Sequence, residues 1–298
     1  MRSLLLLAVL LTGCAHARPK ADADLKRGSL ESGGLKRTYL WWSPEQPGAP
    51  LVIALHGRFG TGEAQEQLSG LTAIAKRERF TVVFPDGVDK SWHDARDLGP
   101  AAEQHVDDVA FLSALIDAFV AKGADPRRVF MLGMSNGGFM TLTFACRAAD
   151  KVTAVASITG GVSVQLAKAC APSRPVPVAF FMGTEDPLVP FAGGPVARKN
   201  NGEVISADAG ARLFAQLFAC EKEPVAERLP DVDPSDGTTV ERRRWSGCQG
   251  GAHVELYVIE HGGHTWPGGW AYLSDHFIGK TSKDLNASDA AWRFFAAR

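Results

Sequence analysis

Continuous apolar runs alternate with amphipathic stretches along most of the chain. The runs at 51–57 (LVIALHG) and 81–87 (TVVFPDG) end in turn residues, which is typical of parallel strands buried on both faces. Further strands are predicted at 37–43, 128–134, 154–160, 176–183 and 254–262. Helices are predicted at 105–123, 139–149, 208–220 and 286–298. Strands that alternate with helices indicate an α/β fold, with a mostly parallel central sheet and helices on both faces.

Residues 27–298 are predicted to form a single domain. No Pro/Ser-rich linker and no internal repeat interrupts the alternation, and nothing in the pattern indicates a large lid. Residues 221–250 are a polar excursion that predicts a surface hairpin. The strand at 37–43 alternates apolar and polar positions as an antiparallel strand does. Asn286 or Ser288 is expected to cap the last helix.

The first 17 residues follow the tripartite plan of a bacterial secretory signal. Arg2 supplies the positive charge, an apolar run extends from Leu4 to Leu11, and small residues follow. As a helix this run would be about 12 Å long, well short of the roughly 30 Å of a bilayer core. The segment therefore predicts export rather than a transmembrane anchor.

Two cleavage sites compete in this signal. The sequence LTGC, ending at Cys14, resembles the lipobox of bacterial lipoproteins, in which the cysteine is lipidated and becomes the new N-terminus. The alternative is Ala15-His16-Ala17, which fits ordinary signal peptidase. The lipobox is favoured because Cys14 follows a small residue at the end of the apolar run. Residues 18–26 would then be a polar tether, and the protein would be lipid-anchored in the envelope (in the outer membrane of a Gram-negative host) or secreted.

Composition and charge exclude several classes of protein. Hydrophobic residues make up 45% of the 298 and charged residues 22%, a mixture that fits neither disorder nor a fibrous protein. Lys and Arg total 32 against 33 acidic residues, so the basic excess of a nucleic-acid-binding protein is lacking. No Cys/His cluster has metal-ligand spacing, so neither a metal nor a cofactor is expected. The composition does not determine the oligomeric state.

The motif Gly133-Met134-Ser135-Asn136-Gly137 is the one G-x-S-x-G of the chain. It follows a predicted strand and precedes a predicted helix, the context in which such a serine is lifted above the sheet on a strained turn. The small residues on both sides allow that turn. Ser135 is therefore predicted to be a nucleophile.

A serine nucleophile needs a histidine base and a carboxylate that orients it. In α/β-hydrolases these follow in the chain order Ser, acid, His. His264 lies in a glycine-rich loop just past the last strand and is the predicted base, with His261 as its rival. Asp186 follows the strand at 176–183 in a turn stiffened by proline and is the predicted acid, with Glu185 as the alternative.

The oxyanion of the transition state needs N–H donors. One is predicted to be the backbone N–H of Asn136, the residue after the nucleophile. The other is expected from the loop after LVIALHG, where the backbone N–H of Arg58 is the first choice and that of Phe59 the second. His56 is expected to brace this loop through hydrogen bonds rather than to act in catalysis.

Cysteine usage agrees with export. Removal of the signal leaves an even number of cysteines, which favours disulfides in an exported protein: Cys146, Cys170, Cys220 and Cys248. Four cysteines allow three pairings, and spacing alone does not choose among them.

Several segments together resemble the polyhydroxybutyrate depolymerase and feruloyl esterase family. They are the LHG near residue 55, VDDVAFL, DPRRVFMLGMSNGG, GTEDPLVPFAGG and HGGHTWPGG. The resemblance implies a secreted serine esterase on an α/β-hydrolase fold, with Ser135, Asp186 and His264 as the catalytic triad. It also implies the pairs Cys146–Cys170 and Cys220–Cys248.

Two tryptophans are candidates for substrate contact. Trp266 lies two residues after His264 and could form a wall of the pocket, and Trp92 follows the carboxyl end of a strand. Family members that attack solid polyester usually carry a further binding domain, and the sequence ends at Arg298. We therefore expect a soluble or wall-attached ester.

These observations predict an exported serine carboxylesterase that uses an acyl-enzyme. Its substrate would be a small or oligomeric ester, of the polyhydroxyalkanoate, feruloyl or acetyl-carbohydrate type. It would bind no nucleic acid and would contact the membrane only through its N-terminal lipid. The alternatives are a thioesterase or peptidase with the same triad, and a non-catalytic carbohydrate-binding envelope lipoprotein.

Overall fold

Six parallel strands form the middle of a ten-stranded sheet in the computed structural model, which describes residues 18–198 and 201–297. The strand order is β1-β2-β4-β3-β5-β6-β7-β12-β11-β10. The strands are β1 Lys26–Ser32, β2 Leu35–Trp42, β3 Leu51–Leu55, β4 Thr81–Pro85, β5 Val129–Met134, β6 Ala154–Ile158, β7 Val178–Gly183, β8 Gly194–Pro195, β9 Glu203–Val204, β10 Val225–Arg228, β11 Thr239–Trp245 and β12 Val254–Glu260. The predicted signal peptide, with Cys14, lies outside the described residues.

Antiparallel strands border the parallel core on both sides. On one side β2 pairs with β4 and with β1, and on the other β11 pairs with β12 and with β10. This confirms the antiparallel prediction for 37–43 and the hairpin predicted within 221–250. Strands β8 and β9 form a separate two-stranded sheet.

Helices cover both faces of the sheet, as the alternating pattern predicts. They are α1 Gly62–Ser69, α2 Leu71–Glu78, α3 Pro100–Glu103, α4 Asp108–Ala121, α5 Asn136–Arg147, α6 Val164–Ala169, α7 Ala207–Leu217, α8 Asp275–Ile278 and α9 Ala287–Ala296. The side chain of Asn286 accepts a hydrogen bond from the backbone N–H of Asp289, so Asn286 caps α9. The α/β-hydrolase fold class is confirmed.

Strand β3 illustrates why the central runs are continuously apolar. Leu51 and Ile53 belong to one hydrophobic cluster, together with buried side chains of α4, α5 and α7. Val52 and Ala54 belong to the other, with side chains of α2 and α9. Each side of the strand meets a helix layer, so a polar residue on either side would be buried.

The cysteines form the pairs Cys146–Cys170 and Cys220–Cys248, as the resemblance implied. The first pair joins the end of α5 to the segment after α6, and the second joins the segment after α7 to the segment after β11. Each therefore ties the end of a helix to a neighbouring segment.

Residues 18–25 lie against the domain. Lys76 on α2 binds the carboxylates of Asp22 and Asp24 at 2.8 and 2.6 Å, and Arg18 borders a cavity of about 840 Å³. The segment predicted as a tether is therefore partly held on the surface of the protein. Among the described residues, no helix has the length and apolar character needed to cross a membrane.

Candidate active site

Ser135 occupies a sharp turn between β5 and α5. Its backbone has φ 53° and ψ −119°, a strained conformation for a residue with a side chain. A Cβ on Gly133 would lie 2.4 Å from the carbonyl oxygen of Gly137, and one on Gly137 would lie 2.5 Å from that of Leu55. Both flanking positions therefore require glycine, because a larger residue would push the turn off the sheet. The turn exposes the Ser135 side chain to the cavity.

His264 and Asp186 form a buried pair beside this turn. Nδ1 of His264 lies 2.7 Å from Oδ2 of Asp186, and the two side chains are 3% and 0% exposed. Oδ1 of Asp186 accepts the backbone N–H groups of Leu188 and Val189, each at 2.8 Å. With both its oxygens engaged, the carboxylate fixes the orientation of the imidazole. His264 and Ser135 border the same cavity.

Glycines bring the loops of this pair together. Asp186 follows β7 and His264 follows β12, and these strands are parallel neighbours. A Cβ on Gly183 would lie 2.3 Å from the carbonyl oxygen of Gly262, so the two loops meet backbone to backbone. The N–H of Glu185 donates to that same carbonyl at 2.9 Å.

The rival residues form a second pair outside the cavity. Nδ1 of His261 lies 2.7 Å from Oε1 of Glu185, and these side chains are 62% and 59% exposed. Neither residue contributes to the cavity wall that Ser135 and His264 share.

Two backbone N–H groups are available near Ser135. That of Asn136 is at the first position of α5, where helical N–H groups have no intrahelical partner. That of Arg58 has no acceptor among the described residues. The N–H of Phe59, the second choice from the sequence, donates to the carbonyl of Lys90 at 2.8 Å. Asn136 and Arg58 therefore remain the predicted oxyanion donors.

His56 braces the loop that carries Arg58. Its Nδ1 donates to the carbonyl of Gly57 at 2.7 Å, and its Nε2 accepts the N–H of Gly87 at 2.9 Å. This arrangement requires the neutral ring, and burial lowers the pKa of His56 to about 4. His56 has the structural role expected of it.

Trp92 and Trp266 are buried in the interior, so the expectation that they wall the pocket is wrong. The Trp92 indole donates to the carbonyl of His56 at 2.9 Å, and its backbone N–H donates to Oδ1 of Asn136 at 2.8 Å. The Trp266 indole donates to Oγ of Ser288 at 3.0 Å. Each ring turns toward a hydrogen-bond partner inside the protein, which the position along the chain does not reveal.

The cavity has a volume of about 840 Å³ and is bordered by Ser135, Asn136, His264 and Arg58. Two further groups of residues contribute to its wall. The first comes from α1 and from the loop after His264: Gln65, Leu68, Trp270, Tyr272 and Leu273. The second consists of two arginines and their neighbours: Arg58, Arg96, Leu98, Val196 and Asn201.

Gln65 and Trp270 border the cavity but were not predicted from the sequence. Gln65 lies on α1, which was not predicted because its segment, GEAQEQLS, has few apolar positions. Trp270 follows Trp266 in the same loop, so an aromatic residue close to His264 was a signal that could have identified it.

Residues 41–207 match the family model described as Phospholipase/Carboxylesterase. The chain belongs to this family. Its members' α/β-hydrolase fold agrees with the sheet and the nucleophile turn described above, and this carboxylesterase is a hydrolase of ester bonds.

Known proteins similar to this carboxylesterase are also esterases by name. The protein named "Putative esterase NocK" of Nocardia uniformis subsp. tsuyamanensis is 31% identical over 93% of this chain and 84% of its own length. Feruloyl esterase B of Piromyces equi is 30% identical over 72% of this chain, which spans 39% of that protein. The solved acetyl xylan esterase from Aspergillus awamori shares the fold, with a TM-score of 0.60 at 12% identity over 92% of this chain and 100% of its own. The resemblance drawn from the sequence is confirmed.

Proposed function

We propose that this carboxylesterase cleaves its substrate through an acyl-enzyme on Ser135, with His264 as the base and Asp186 as the group that orients it. The observation that carries the proposal is the buried His264–Asp186 pair, whose His264 borders the same cavity as a serine on a strained turn. Nucleophile, base and orienting acid are the three groups that such chemistry needs.

The first half of the reaction forms the acyl-enzyme. Oγ of Ser135 attacks the ester carbonyl carbon while Nε2 of His264 takes its proton. The carbonyl oxygen becomes an oxyanion and accepts the N–H groups of Arg58 and Asn136. Collapse of the tetrahedral intermediate breaks the bond to the alcohol, which leaves with the proton from His264.

The second half releases the acid. Water gives a proton to His264 and attacks the acyl-enzyme, and the same two N–H groups accept the new oxyanion. Collapse then breaks the bond to Ser135, whose oxygen regains the proton from His264. Asp186 remains ionised throughout and stabilises the imidazolium.

The substrate is a small or oligomeric ester. A cavity of about 840 Å³ holds a molecule of that size. The named relatives favour a feruloyl or acetyl-carbohydrate ester. The family resemblance of the sequence adds an oligomer of a hydroxyalkanoate. Matched ester, thioester and amide substrates distinguish this function from that of a thioesterase or a peptidase.

Export is part of the proposal. The apolar run followed by LTGC supports lipidation at Cys14, and two disulfides fit an oxidising compartment. Labelling cells with a radioactive fatty acid should mark the wild-type protein and not Cys14→Ser. Equal labelling of both would exclude lipidation at Cys14.

The catalytic proposal is tested by hydrolysis of p-nitrophenyl acetate, butyrate and octanoate and of methyl ferulate. Ser135→Ala should lose about 10⁴-fold or more in kcat/KM. A fluorophosphonate should label the wild-type protein on Ser135 and leave the variant unlabelled. If Ser135→Ala hydrolyses these esters as fast as the wild type, Ser135 is not the nucleophile; if neither protein hydrolyses any of them, carbohydrate binding should be measured instead.

A further inference from the structure

Two residues that border the cavity carry side-chain N–H groups with no acceptor among the described residues. These groups are Nε2 of Gln65 and Nε1 of Trp270, and both atoms are shielded from solvent. Gln65 is only 1% exposed, and both residues border the cavity. Burying a polar group without a partner costs free energy, so such groups in a substrate cavity point to a partner on the substrate.

Gln65 is held in place by its helix. The Oγ1 of Thr61 caps α1 by accepting the N–H of Ala64 at 3.1 Å, and Oδ1 of Asp86 accepts the N–H of Gly62 at 2.8 Å. The N–H of Gln65 itself donates to the carbonyl of Thr61 at 2.9 Å. The backbone of Gln65 is thus fixed, and its side chain borders the cavity.

Trp270 is held by the loop that carries His264. A Cβ on Gly269 would lie 2.9 Å from the carbonyl oxygen of Leu68, so this loop packs closely on α1. The hydroxyl of Tyr272 donates to the carbonyl of His264 at 2.8 Å. Gln65 and Trp270 therefore project from two elements that are in contact.

The chemistry of the two side chains fixes the chemistry of their partner. An indole N–H can only donate, whereas a glutamine amide can donate or accept. A group that both can bind is therefore an acceptor. The guanidinium groups that border the cavity already have protein partners, since Arg58 binds Asn201 at 2.7 Å and Arg96 binds Asp94 at 2.6 Å.

We propose that Gln65 and Trp270 bind an acceptor oxygen of the substrate, an ether, carbonyl or hydroxyl oxygen, in addition to the ester group that reacts. The enzyme then prefers oxygen-bearing esters to hydrocarbon esters of the same size. This inference rests on the proposed function. It concerns the substrate class of the same site.

Two isosteric substrate pairs test the preference. Methyl 3-methoxypropanoate against methyl pentanoate places the ether oxygen in the acyl part, and 2-methoxyethyl acetate against butyl acetate places it in the alcohol part. Each kcat/KM is divided by the rate of hydroxide-catalysed hydrolysis, which removes the intrinsic reactivity of the ester. The wild-type enzyme should favour the ether of at least one pair by about tenfold, because the hydrocarbon leaves both N–H groups unpaired.

Substitutions of Gln65 and Trp270 test whether these two residues cause the preference for the ether-bearing ester. Gln65→Met and Trp270→Phe each keep an apolar side chain of similar shape and remove one N–H, so each should reduce the preference to about threefold. Gln67→Met is the matched control, because Gln67 lies on the same helix and does not border the cavity. It should keep the wild-type preference.

The outcomes separate this inference from the proposed function. If the wild type shows no preference in either pair, or if both Gln65→Met and Trp270→Phe retain it, the subsite is excluded while the esterase mechanism stands. Undiminished hydrolysis of all four esters by Ser135→Ala would instead overturn the mechanism, and with it the subsite. The inference is supported if Gln65→Met or Trp270→Phe reduces the preference for the ether-bearing ester and Gln67→Met does not.

Discussion

Two histidine–carboxylate pairs join the loop after β7 to the loop after β12, and they differ chiefly in exposure. Both have an Nδ1 to carboxylate distance of 2.7 Å. In the His261–Glu185 pair the side chains are 62% and 59% exposed, whereas in the His264–Asp186 pair they are 3% and 0% exposed. The contact itself is the same; its surroundings are not.

Surroundings decide what each pair can do. Water and salt screen an exposed pair and leave its side chains free to rotate, so its contribution is small. In the buried pair two backbone N–H groups hold the second oxygen of Asp186, and His264 faces the cavity. A preorganised pair of this kind can orient a base, whereas a histidine and a carboxylate at hydrogen-bond distance alone do not make a catalytic site.

The largest difference is expected between the two histidines. His264→Ala should lower kcat/KM by about 10⁴-fold or more, because the base is lost, and His261→Ala should leave it within about twofold. The measurement is ester hydrolysis by both variants, with circular dichroism to establish that each is folded. Similar losses in the two variants would contradict the assignment of the base.

The two carboxylates should differ by somewhat less. Asp186→Asn should lower kcat by about 10³–10⁴-fold, since an amide does not hold the imidazole in the productive tautomer. Glu185→Gln, the matched change one residue away, should have an effect of less than about twofold. Steady-state kinetics on one p-nitrophenyl ester measures both. An unchanged kcat in Asp186→Asn would exclude Asp186 as the orienting acid.

A third histidine extends the comparison to a buried ring without a carboxylate partner. His56 is bound to backbone groups, and burial lowers its pKa to about 4, against 6.5 for an ordinary histidine. Between these two values the unfolded chain binds a proton that the folded protein does not. Stability should therefore fall as the pH falls from 6.5 toward 4, with a loss of about 2–3 kcal/mol from this group by pH 4.5.

Urea unfolding at pH 7.5 and pH 4.5 measures this loss. His56→Gln keeps a donor and an acceptor but does not titrate, so its free energy of unfolding should fall by about 2–3 kcal/mol less over the same interval. The difference between the two proteins removes the contribution of every other titrating group. Equal pH dependence in both would show that His56 is not held neutral.

Much of the fold and of the proposed triad could be predicted from the sequence, because both depend on local patterns. The apolar runs mark the parallel strands, and catalytic groups follow the carboxyl ends of such strands. Asp186 and His264 could be chosen over Glu185 and His261 by their neighbours in the loop. That β7 and β12 are adjacent depends on the topology of the sheet, which the chain order does not give.

The rest depends on contacts that a linear pattern does not contain. Helix α1 escaped prediction because its buried positions include Gln65 and Glu66, which a search for apolar periodicity passes over. Trp92 and Trp266 follow strands as pocket residues do. Their rings nevertheless point inward, to hydrogen-bond acceptors contributed by His56 and Ser288.

The smallest expected effect concerns the exposed pair itself. A double-mutant cycle of His261→Ala and Glu185→Gln should give a coupling free energy of about 0.5 kcal/mol or less at pH 5.5, and it should decrease as salt rises from 0.05 to 0.5 M. Urea unfolding of the four proteins provides the measurement. A coupling of about 2 kcal/mol that persists in high salt would mean that exposure to solvent does not weaken the His261–Glu185 pair. Exposure would then not explain why this pair and the His264–Asp186 pair are expected to differ in function.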